Sequence, residues 1–93
     1  FSLFPPDGFP AILSLAMNVL IVEDSDERRR TIRDFTADLV ENFVECADGG
    51  EALAVYETCR PDWVLMDIEM KNTDGISATR QIIAAFPAAK IAI

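Results

Sequence analysis

With 93 residues, 51% of them hydrophobic, the chain has material for one small globular domain, and no uncharged apolar run reaches the roughly 18 residues of a membrane-spanning helix. Sixteen acidic residues against eight basic ones leave a formal net charge of -8, which opposes a phosphate backbone and argues against direct nucleic-acid binding by this segment. Histidine is absent, and with it Ser-His-Asp and Cys-His catalysis, histidine metal ligation and phosphohistidine chemistry on this chain.

Residues 1–16, FSLFPPDGFPAILSLA, hold three of the five prolines and a single charge, and they lack the basic start of a secretory signal. They read as a leader or linker of unclear origin, ahead of a patterned segment that opens at Met17. Val19-Leu20-Ile21-Val22 is apolar on both faces and too short for a helix, as expected of a strand covered on both sides. It ends at Glu23-Asp24-Ser25-Asp26. Ser25 or Asp24 can cap the next helix, in which Ile32, Phe35, Leu39 and Val40 fall on the inner stripe and Arg28, Arg29, Arg33 and Asp38 on the other side. Phe43 to Ala47 predicts a weaker strand, closed by Asp48-Gly49-Gly50. A short helix follows from about Glu51 to Cys59, with Leu53 and Tyr56 inward, until Arg60-Pro61-Asp62 breaks it. Val64 to Met66 predicts the third strand and leads into an acidic loop at Asp67. A third helix from about Ile76 carries Ile76, Thr79, Ile82, Ile83 and Phe86 on one stripe and stops at Pro87. Lys90 to Ile93 reads as a fourth strand, and the domain is expected to be cut off inside it. Cys46 and Cys59 form no CxxC pair, so zinc and thioredoxin-like readings fail and two ordinary thiols of a cytoplasmic protein are expected.

This strand-helix alternation, βαβαβαβ, is the pattern of an α/β parallel sheet with crossover helices on its two faces. In such sheets the working site lies beyond the carboxyl ends of the strands, where the strand order reverses. Two strands end in acids there, one in Glu23 and Asp24 and the other in Asp67. Either set alone reads as strand-end caps. Together, on adjacent parallel strands, they form a carboxylate cluster whose mutual repulsion calls for a cation. Magnesium suits it best, because it takes one or two carboxylates, waters and a phosphate oxygen, and the chain has no EF-hand loop for calcium.

VLIVEDS at residues 19–25 and WVLMDIEMKNTDGISATRQI at 63–82, with ADGGEAL at 47–53 between them, resemble the motifs of response-regulator receiver domains, the phosphoacceptor modules of two-component signalling. The resemblance runs from about Met17 to Ile93. It implies a flavodoxin-like, doubly wound sheet of CheY-like type, here incomplete, with the fifth strand and the last two helices missing. It implies Asp67 as the phosphorylated aspartate, and Glu23, Asp24 and Asp67 with the backbone carbonyl of Glu69 as ligands of Mg2+. Gly75 becomes the turn glycine that opens the following helix. The phosphoryl donor is then a histidine kinase or phosphotransfer protein. Lys71 stands where the family usually has proline, and the family's switch hydroxyl and phosphate-binding lysine fall beyond Ile93. The incomplete sheet leads us to expect self-association, by domain swapping or through the apolar leader from Phe9 to Ala16; a membrane partner is not expected.

Two other readings compete. Asp24-Ser25-Asp26 after an apolar strand is similar to the nucleophile motif of haloacid-dehalogenase-type phosphohydrolases, with Asp24 as nucleophile, although Glu27 and Arg28 stand where that motif has threonine or valine. A receiver-like interaction module that binds partners without phosphorylation is the third.

Overall fold

The computed structural model describes residues 17–93; the leader assigned to residues 1–16 lies outside the described residues. Seven elements alternate along them: β1 (Asn18–Val22), α1 (Asp26–Thr36), β2 (Asn42–Cys46), α2 (Gly49–Cys59), β3 (Trp63–Met66), α3 (Gly75–Ala85) and β4 (Ile91–Ala92). The strands pair in parallel in the order β2-β1-β3-β4. This is the flavodoxin-like, doubly wound order, with the reversal at β1, from which the chain passes first to β2 and then to β3 on the opposite side.

β1 is the centre of the sheet because it is apolar on both faces: Leu20, Ile21 and Val22 are each 0% exposed. Side chains alternate across a strand, so Leu20 and Val22 join Cys46 of β2 and Val64 and Met66 of β3 on one face. Ala52 and Tyr56 of α2 and Ala78 and Ile82 of α3 complete that core, with Phe86 packed against it and its ring 5.0 Å from that of Tyr56. Each helix starts where a side chain satisfies free backbone N–H groups: Ser25 accepts from Arg28 N, Asp48 from Gly50 N and Asp74 from Ser77 N. Arg60, in the left-handed region at φ 44°, closes α2, and Pro61 prevents its continuation.

Two helix faces differ from the sequence reading. In α3 the buried stripe is Gly75, Ala78 and Ile82, whereas Ile76 and Ile83 are exposed and Thr79 is only half-buried. Small residues take the close contacts: α3 packs against α2 with Ala78 in the core, and Gly75 lies against the Asp67–Ile68 backbone after β3. In α1 the departure is larger. Ile32 is half-buried, but Phe35 is 86% exposed, and Leu39, beyond the helix end, is also exposed. Arg29 instead lies against the sheet, bonded to Glu45 of β2 and to the Glu23 backbone carbonyl, and Arg33 pairs with Glu45 and stacks over Phe43. An acid on the sheet face draws the basic side of α1 inward, because a charge there needs partners.

Candidate functional site

The pairing of β1 with β3 runs in register from Val19 opposite Trp63 to Val22 opposite Met66. The next residue of each strand, Glu23 and Asp67, therefore leaves the sheet beside the other. Asp67 N donates to Val22 O (2.9 Å) and Glu23 N to Cys46 O (3.0 Å), which fixes both backbones at the strand ends. Asp24 follows Glu23, and the structure leaves it free of helix capping because Ser25 takes that role. Carboxylate oxygens of Glu23, Asp24 and Asp67 all lie within 4.8 Å of one another. The two strands thus bring together the three acids singled out in the sequence.

Loop backbone orients two of them. Glu69 N donates to Asp67 Oδ1 (3.1 Å) and Lys71 N to Asp24 Oδ2 (3.2 Å). Gly75 holds this loop from behind: a Cβ there would stand 2.1 Å from the Asp67 carbonyl oxygen, so only glycine permits the approach. Gly75 N donates to Ile68 O (3.1 Å).

Burial and charge conflict at the floor of the site. Glu23 is 2% exposed, and burial, aided by a hydrogen bond to Asp67, pushes its pKa up to about 7, against the opposing pull of Arg28. The Asp67 carboxyl is pulled below its ordinary value, chiefly by the same bond from Glu23, with help from the Glu69 N–H and Arg28. Apart from a proton held between Glu23 and Asp67, no donor reaches the buried Glu23 Oε2 and Asp67 Oδ2. With both acids ionised, buried oxygens left in this way cost roughly 1–3 kcal/mol each. An all-oxygen donor set with two unsatisfied carboxylate oxygens fits a hard divalent cation such as magnesium.

The sequence reading missed one member of the site. It put Arg28 on the outer side of α1, yet its guanidinium bonds to Glu23 Oε1 and lies 3.7 Å from Asp24 Oδ1 and 3.9 Å from Asp67 Oδ2. The signal was the Asp24/Arg28 spacing of i,i+4 at a helix start. Cys46 and Cys59 are free thiols, as expected, and burial pushes both pKa values up.

Residues 19–93 match the profile of the response regulator receiver domain. The chain belongs to that family. It is 40% identical over 79 residues to the uncharacterized transcriptional regulatory protein YhcZ of Bacillus subtilis, covering 83% of this chain and 37% of that protein. Among solved structures, the receiver resembles that of the CheX-CheY-BeF3-Mg2+ complex from Borrelia burgdorferi, with 32% identity, a TM-score of 0.71, and coverage of 81% of this chain and 58% of that one. It also resembles a chain of the complex between histidine kinase ThkA and the response regulator protein TrrA of Thermotoga maritima, at 25% identity and TM-score 0.73, covering 81% and 65%. The chain therefore spans little more than a third of YhcZ and about three fifths of the solved chains. Receiver domains are signalling modules, and membership in this family displaces the reading of Asp24 as a phosphohydrolase nucleophile. Among the described residues no helix is long and apolar enough to cross a membrane.

Proposed function

We propose that this receiver takes a phosphoryl group onto Asp67 from a phosphohistidine of a partner histidine kinase or phosphotransfer protein, in the cytoplasm. The supporting observation is the meeting of Glu23, Asp24 and Asp67, from two adjacent parallel strands, within 4.8 Å. Asp67 Oδ1 is engaged by the Glu69 N–H, which holds the carboxylate in place at the strand end. Attack by an Asp67 carboxylate oxygen on phosphorus forms the O–P bond as the P–N bond to the donor imidazole breaks. The electron pair leaves with that nitrogen, which takes a proton from solvent. A depressed pKa keeps Asp67 ionised and able to attack at neutral pH.

Glu23, Asp24, Asp67 and the backbone carbonyl of Glu69 would hold magnesium. Bound there, magnesium supplies the positive charge that offsets the acids and the phosphoryl oxygens as they approach. Glu23 and Asp24 contribute negative charge and oxygen donors, and Gly75 keeps the Asp67 loop in place. The donor histidine has to come from another protein, since this chain contains none.

Intact-mass analysis after incubation with acetyl phosphate or phosphoramidate and magnesium tests this reading. An added phosphoryl mass, alkali-labile and absent from Asp67→Asn, is expected. A folded chain that takes up no phosphoryl group would overturn it and leave an interaction module that works without phosphorylation.

A further inference from the structure

One cationic side chain serves all three acids. Arg28 donates Nε to Glu23 Oε1 and sets Nη2 3.7 Å from Asp24 Oδ1 and 3.9 Å from Asp67 Oδ2. Among the described residues no other Lys or Arg forms an ion pair with any of these carboxylates. Its placement follows from the fold. Ser25 caps α1, which puts Arg28 in the first turn, directly above the strand ends from which Glu23 and Asp67 emerge. The side chain borders both the open cleft bounded by Asp24, Asp48 and Glu69 and the groove bounded by Glu23, Asp67 and Leu65.

Three carboxylates this close need a positive charge, and a guanidinium fork can supply it to several oxygens at once. A divalent cation would use the same oxygens. Two cations cannot share them without strong repulsion, so one must leave. Arg28 is the one able to leave, because its side chain is 64% exposed and solvent can take up its charge as it swings out. We propose that Arg28 is a resident counter-cation of the acidic pocket that magnesium displaces on binding, so that this arginine sets the magnesium affinity of the receiver. The inference rests on the reading of Glu23, Asp24 and Asp67 as a magnesium site.

Isothermal titration calorimetry of the full 93-residue chain with magnesium, with no phosphodonor present, tests it. Arg28→Met keeps the aliphatic stem and removes the charge, and its magnesium affinity is expected to rise by about tenfold or more. Arg28→Lys keeps the charge but loses the fork, and its affinity is expected between that of Met and wild type. Asp24→Asn is expected to lose binding. Equal or weaker binding by a folded Arg28→Met would overturn the role of Arg28 and leave the magnesium site standing. If the Met variant does not fold, equal affinity of wild type and Arg28→Lys overturns it instead. Absence of binding in every protein would overturn both the role and the site.

Discussion

Glu23 carries the main electrostatic conflict of this molecule, being an acid at the end of the most buried strand. Its neighbours relieve that conflict in two ways, by a proton shared with Asp67 or by positive charge from Arg28. Without metal, the raised pKa has a consequence for stability. The folded chain binds a proton at Glu23 more tightly than the unfolded chain does, so this contribution is full below the ordinary value of 4.5 and is lost as pH rises toward about 7. The depressed Asp67 acts in the opposite sense, but only below its own ordinary value of 3.8, so the two windows do not overlap. The melting temperature of the metal-free chain is therefore expected to fall as pH rises from 4.5 to 7. Glu23→Gln, which cannot ionise, should flatten that dependence. A melting temperature that climbs steadily through the same window would remove Glu23 as its source. At this scale the acids were legible in the sequence, because an apolar strand ending in acids is a local pattern. Arg28 was not, since helical periodicity assigned it to a solvent face; its i,i+4 spacing pointed to Asp24 alone, and only the strand ends beneath it reveal Glu23 and Asp67.

Among the elements, β3, its loop and α3 act as one unit around Asp67. Asp74 caps α3 through Ser77 N, and Gly75 presses its backbone against the Asp67 carbonyl. Gly75→Ala forces a Cβ into that contact and is expected to cost about 1–3 kcal/mol of stability, as overpacking does, and to move the Asp67 loop. Chemical denaturation would measure the first effect, and slower phosphoryl uptake the second. Unchanged stability would mean that the loop yields freely. The need for glycine here does not come from backbone dihedrals, as no glycine among the described residues has a positive φ. A turn rule identifies Gly75, but the reason for it lies in the approach of two segments. α1 teaches a similar lesson. Its apolar periodicity pointed Phe35 inward, while the need to pair Glu45 with Arg29 and Arg33 turned the basic side to the sheet.

For the whole molecule, the two faces of the sheet are unequal. One is covered by α2 and α3 around Leu20, Val22, Val64 and Met66. On the other, α1 leaves a groove bordered by Ile32, Leu65, Ala92 and Ile93 among the described residues, and Phe35 and Ile93 are 86% and 69% exposed. Apolar surface of this kind favours pairing with a second copy of the chain. Size-exclusion chromatography with light scattering is expected to show concentration-dependent association, reduced by Phe35→Asp. A monomer at all concentrations would refute this.

The alternation of strands and helices, the burial of β1 and the acids at its end and at the end of β3 were determined by the sequence itself. Each is encoded by neighbours a few residues apart, through periodicity and capping. The tertiary structure decided which acids meet, which side of α1 faces the sheet, and that Arg28 stands over the carboxylates. Those outcomes depend on β1 lying between β2 and β3, and on side chains 12 to 44 positions apart in the chain coming within a few ångströms, where charge pairing overrides local amphipathicity.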